Sequence, residues 1–113
     1  MSKHYSIESL REVAGGDDDF MAVVAQTFLE EIPPDLQAMQ EAIQNDNKEL
    51  AYQFAHKMKP NLEMFGVAVA KDISAIESWS KTSKSPDVIA DNLAKVVTTV
   101  TQVFEELQED FKL

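Results

Sequence analysis

The chain has 113 residues, 44% of them apolar and 27% charged, and twenty acidic against ten basic side chains leave a net charge of −10. That length is one domain with room for a real core, the apolar share excludes a disordered chain, and the negative balance repels nucleic-acid phosphates and anionic membrane surfaces. The absence of cysteine removes disulfides, thiol catalysis and Cys-based zinc sites, and fits a reducing compartment.

Met1–Tyr5 carries no apolar signal core, and no run of about 18 apolar residues could span a bilayer, so the expectation is a cytoplasmic monomer. Three glycines, four prolines and no sustained period-two alternation favour an all-α domain over residues 1–113. Ser6 can cap a short first helix carrying Ile7, Leu10 and Val13, which Gly15-Gly16 ends. This helix is expected to lie across one end of a bundle. Asp17-Asp18-Asp19 supplies an N-cap oxygen and negative charge to the next helix start. It is no calcium loop, because EF-hand spacing and the terminal Glu are missing.

From Phe20 the apolar positions Val23, Val24, Phe28 and Ile32 recur at helical spacing and resume after Pro33-Pro34 with Leu36, Met39 and Ile43. No loop-like cluster accompanies the prolines, so one helix bent at them is expected. Asn45-Asp46-Asn47 reads as a turn, and Asp46 with Glu49 has the form of a capping box opening a helix that reaches about Phe65 and is closed by Gly66. A further helix carries Val69, Ile73, Ile76 and Trp79 to the polar loop from Lys81 to Ser85. Ser85-Pro86 then reads as an N-cap with Pro at the first position of a long last helix, Ile89 to Phe111. Four long helices joined by short turns imply an antiparallel up-down four-helix bundle.

His56 stands out on the third of these segments. At about 100° per residue from Leu50, the residues Phe54, Met58, Phe65, Ala51 and Leu62 fall between about 40° and 120° and form the expected buried stripe, while His56 falls near 240°. Its imidazole is therefore expected in solvent, with Tyr52 and Gln53 one turn before it and Lys59 and Pro60 one turn after. Metal binding fits poorly: the position three before His56 is Gln53 rather than Glu, and the other histidine, His4, falls in an end expected to fray. General acid-base catalysis lacks an evident pocket, and no Gly-rich phosphate loop is present, so a kinase with its own ATP site is not expected.

What remains is nucleophilic service on an open face. A histidine nitrogen can take a phosphoryl group and pass it on, and the charge of about −1.5 to −2 that arrives needs a nearby cation, for which Lys59 is placed one turn on. Lys57 points to another sector and reads as a solvated lysine. Pro60 leaves the His56 carbonyl without its donor four residues on and should loosen that turn.

The segment Ala55-His56-Lys57-Met58-Lys59-Pro60 through Gly66 resembles the signature of the histidine-containing phosphotransfer (HPt) domains of multistep phosphorelays, A-H-x-h-K-G with h apolar and a second glycine six residues later. Ala55, His56, Met58, Lys59 and Gly66 fall on it, and Pro60 stands where the family usually has Gly. The resemblance runs over nearly the whole chain. It implies a four-helix bundle with His56 as phosphoacceptor and Lys59 supporting the phosphoryl group. A Gln or Glu on the following helix often bonds the ring in that family, which directs attention to Glu77 and Ser78. It further implies partners that are response-regulator receiver domains or a hybrid sensor histidine kinase, with the Asp and Mg²⁺ supplied by the receiver and no cofactor of this chain's own. Tyr52, Gln53, Pro60 and Glu63 are the expected partner-binding residues. The alternative is a helical adaptor that docks a receiver or kinase through the same face without being phosphorylated.

Overall fold

The computed structural model describes residues 4–113; the first three residues of the Met1–Tyr5 segment, read above as lacking a signal core, lie outside the described residues. The chain is all-α, with no strand among the described residues. Helix α1 spans Ile7–Val13, α2 Asp18–Gln44, α3 Lys48–Met64, α4 Ala70–Trp79 and α5 Ala90–Phe111, with a 3-10 turn at Pro86–Ile89. No helix among them is long and apolar enough to cross a membrane.

The helix ends follow from local chemistry. The Ser6 side chain accepts from Ser9 N–H, and one Asp17 oxygen accepts from both Asp19 and Phe20 N–H, so each satisfies donors that a helix start leaves free. Three turns then share one design. After α1, α2 and α3, the residues Gly15, Asp46 and Gly66 adopt positive φ, and the N–H groups that follow bond back to the last turn of the helix. Asp46 is spent on this turn at φ 52, so Asn47 is the N-cap of α3, accepting from Leu50 N–H, and the expected Asp46/Glu49 capping box does not form. At the last helix Ser85 caps the 3-10 turn rather than α5, and α4, at ten residues, is shorter than the long helix expected.

Helix α2 runs unbroken through Pro33 and Pro34, and α3 through Pro60. Asp35 and Lys57, paired at 3.1 Å, stand eleven residues either side of Asp46, so α2 and α3 form an antiparallel hairpin. Helix α2 packs on α3 and α5, α4 packs on the same two, and α1 lies against α2 and α3. The shared interior holds Leu10, Ile32, Met39, Met58, Leu62, Ile73, Ile76, Val96, Val100, Val103 and Leu107, all essentially inaccessible to water. His4 is not frayed: its backbone N–H donates to Glu106, and the Tyr5 hydroxyl donates to Asp110, which ties the described N-terminus to α5.

On α3 the buried residues are Ala51, Ala55, Met58 and Leu62, with Phe65 just beyond the helix. Phe54 only packs against the edge of the core and Leu50 is exposed, so the buried stripe is turned from the expected one toward Ala55. It still leaves His56 on the outside.

Gly66 is where α3 meets α1. Its φ is +68, a Cβ there would lie 2.6 Å from Ser6 Cβ, and Ser6 N–H donates to the Phe65 carbonyl at 2.7 Å. Gly66→Ala is therefore expected to cost about 2–4 kcal/mol, from left-handed strain and collision together. Gly16→Ala, with open space at φ +81, should lose only the conformational part, about 1–2 kcal/mol. Urea denaturation of both variants reads the difference. The same assay should give a loss of about 2–5 kcal/mol for Leu62→Ala, from a core cavity, and a smaller one for half-buried Phe54→Ala.

Candidate functional site

Burial of one face of α3 sets the orientation of the other. With Ala51, Ala55, Met58 and Leu62 inward, the line Tyr52, His56, Lys59, Glu63 runs along the flank that faces α4. The His56 side chain is 65% exposed. On α4 the inward residues are Ile73, Ile76 and Trp79, which place Glu77 at the edge of the contact with α3.

Glu77 joins the two elements. One carboxylate oxygen lies 2.9 Å from His56 Nδ1 and the other accepts from Lys59 Nζ at 3.2 Å. Burial alone would raise the Glu77 carboxyl; the hydrogen bonds from His56 and Lys59, and their charges, outweigh it and hold the group below the ordinary glutamate range. An ionised carboxylate only accepts, so the imidazole nitrogen facing it carries the proton. In the neutral ring the lone pair is then on Nε2, the nitrogen directed away from Glu77.

The rest of the surroundings is polar and open. The Tyr52 ring stacks on the imidazole at 5.5 Å between centroids and 9° between planes, and Lys81 Nζ stands 5.4 Å from the centre of the Tyr52 ring. Tyr52 and Gln53 line a shallow hollow with Lys48, Glu49, Ser80 and Lys81. Pro60 and Glu63 are exposed on the other side of His56, Lys59 is half-buried, and Ser78 is exposed while Glu77 takes the ring. Lys57 is not merely solvated: it covers the buried Asp35 of α2.

Charge is segregated along the chain. Lys48, Lys57, Lys59, Lys71, Lys81 and Lys84 are six of the ten basic residues, and only Glu49, Glu63, Asp72 and Glu77 oppose them between positions 48 and 84. The segment that carries His56 is thus the cationic part of an acidic chain.

The described residues contain no group of three or more His, Asp or Glu side chains placed to hold a metal ion. An apolar groove does exist, against the sequence expectation, between α2 and α3, where Phe20, Val23, Val24, Phe28, Met64 and Phe65 surround about 230 Å³. It arises because Phe20 and Val23 lie outside the core contact and remain about half exposed. The groove is smaller than an ordinary small-molecule pocket of roughly 300–1,000 Å³, and His56 does not line it.

Comparison with protein-family models, curated proteins and solved structures gives no match for this chain.

The family resemblance directs attention to Glu77 and Ser78, and hairpin spacing singles out the first: Glu77 lies ten residues after Val67 and His56 eleven before, so antiparallel pairing about that turn brings them level. The lowered Glu77 carboxyl has a consequence for stability. A group whose folded pKa is depressed stabilises the fold above its unfolded value, about 4.3, and loses that contribution as the pH falls through the folded value. The stability margin of the native protein over Glu77→Gln at pH 5 should therefore shrink at pH 3, as read from urea midpoints. An unchanged margin would show that the bridge contributes nothing.

Proposed function

We propose that this chain is a phosphorelay intermediate, an HPt-type phosphocarrier that accepts a phosphoryl group on His56 Nε2 and hands it to another protein. The observation that carries the reading is the hydrogen bond from Nδ1 to Glu77, which directs the Nδ1 proton at the carboxylate and so, in the neutral ring, leaves the lone pair on Nε2, in a side chain that is 65% exposed. Rigid presentation of a nucleophile is the main thing such a protein has to supply.

The step balances with a partner aspartyl phosphate as donor. The Nε2 lone pair forms a bond to phosphorus while the bond from phosphorus to the aspartyl oxygen breaks and its electrons return to the carboxylate. The ring keeps its Nδ1 proton and becomes cationic, and the Glu77 carboxylate balances that charge. Transfer to a second aspartate is the reverse. Lys59 spends one donor on Glu77 and retains others for the phosphoryl oxygens.

The finer architecture on this reading is an antiparallel up-down four-helix bundle of α2 to α5, with α1 across one end. The partners are receiver domains of response regulators, or a hybrid histidine kinase carrying one, in the cytoplasm. The divalent cation of the reaction belongs to the receiver. Half-buried Tyr52 and exposed Gln53, Pro60 and Glu63 around His56, within the cationic segment, suit an acidic partner site.

The test is incubation with a phosphorylated receiver. Acid-labile label should pass to the native protein and none to a folded His56→Gln variant; label on that variant would end the proposal. Lys59→Ala should slow transfer or shorten the phosphohistidine lifetime while lowering stability by about 0.2–1 kcal/mol through loss of its bridge to Glu77, and unchanged kinetics would remove Lys59 from the mechanism.

A further inference from the structure

We propose that Tyr52 is a positioning residue for group transfer at His56, acting through ring stacking in addition to its place on the docking face; the inference rests on the proposed acceptor role. The Glu77 hydrogen bond anchors the imidazole at one nitrogen only. A terminal sp²–sp³ torsion such as that of histidine has a broad rotational well, and acceptance by a carboxylate oxygen tolerates tilt of the donor ring. In a side chain this exposed the direction of the Nε2 lone pair would otherwise wander. The Tyr52 ring lies nearly parallel to the imidazole, at 9° and 5.5 Å between centroids, and stacks against one side of it. It is itself half-buried on the same helix, one turn back, and Lys81 from beyond the end of α4 stands over it.

The stack also does something that shape alone does not. Phosphoryl transfer to Nε2, with the proton held on Nδ1 by Glu77, turns the imidazole into a cation. An aromatic face within about 6 Å of a cation attracts it through the ring quadrupole, and the centroid separation is 5.5 Å. Tyr52 therefore stabilises the charge that appears as the new bond forms, as well as the direction of attack.

A small phosphodonor separates this role from docking, because it has no protein surface to dock. With potassium phosphoramidate, Nε2 bonds to phosphorus as the donor's P–N bond breaks, and the departing nitrogen, already carrying three hydrogens, leaves as ammonia. Tyr52→Leu should lower the phosphorylation rate by about two- to fivefold, the range a surface cation–π contact supports. Tyr52→Phe, which keeps the ring and loses the hydroxyl, should restore the native rate, and circular dichroism should show unchanged helix content in both. Equal rates for the native protein and Tyr52→Leu would overturn the inference while leaving the acceptor role intact. Failure of Phe to rescue would overturn it as well, since the effect would then belong to the hydroxyl. No labelling of the native protein would instead defeat the acceptor role, and this inference with it.

Discussion

The polar half of α3 is held by carboxylates on both of its neighbours, and the bridge from Glu77 is the one on which the site depends. Consecutive residues reach in opposite directions: His56, with Lys59, to Glu77 on α4, and Lys57 to Asp35 on α2. Glu77 and Asp35 are both largely removed from water, at 12% and 9% side-chain exposure, so each would be costly to keep ionised without a donor. Hydrophobic burial fixes one side of α3 and these two pairs fix its flanks. The helix can neither roll nor slide without stranding a carboxylate. The orientation of the imidazole is thus a property of the α2–α3–α4 packing rather than of His56 alone.

This explains which features could be read from the sequence. The outward phase of His56 needs only helical periodicity and survives a rotation of the buried stripe, because the ring stood well clear of the stripe's edge. Caps at Ser6 and Asp17 depend on residues within one turn and were legible. The start of α3 was misplaced by one residue because a left-handed Asp46 serves the end of the preceding helix, and nothing local distinguishes that use from an N-cap. Phe54 was assigned to the core since apolar character marks a stripe without saying where its centre falls; that is decided by where the neighbouring helices sit. The partners of Lys57 and His56 lie 22 and 21 residues away, beyond any helical repeat, and only the hairpin geometry brings them together.

Three prolines inside helices illustrate the same division. Each removes a backbone donor, and the sequence rule anticipates a bend or a break. Helices α2 and α3 continue through Pro33, Pro34 and Pro60, the single α2 helix being the one expected from the lack of a loop-like cluster at its prolines. On α2 the turns flanking the prolines carry Phe28, Ile32 and Leu36, all buried, so tertiary packing holds the segment together across the missing bonds. On α3, Pro60 is exposed while Met58 and Leu62 on either side are buried. The carbonyl that Pro60 leaves unpartnered within the helix belongs to His56, on the outer face where water can reach it.

A carboxylate beside the proposed phosphoryl acceptor looks at first like a poor choice in a protein of net charge −10. Its position resolves the difficulty. Glu77 faces Nδ1, and on the proposed function the phosphoryl group forms on Nε2, across the ring, so the imidazole separates the two anions. The neutral ring, the Lys59 ammonium and the Glu77 carboxylate sum to no net charge before transfer. After it, the protonated ring is a cation set between a carboxylate and a phosphoryl group, the arrangement that most favours keeping that proton. The same proton keeps the phosphorylated imidazole a good leaving group, because nitrogen departs from phosphorus as a neutral ring rather than as an anion. On the proposed function, one hydrogen bond therefore serves both directions of transfer: it exposes the lone pair that accepts, and it retains the proton that lets the group go.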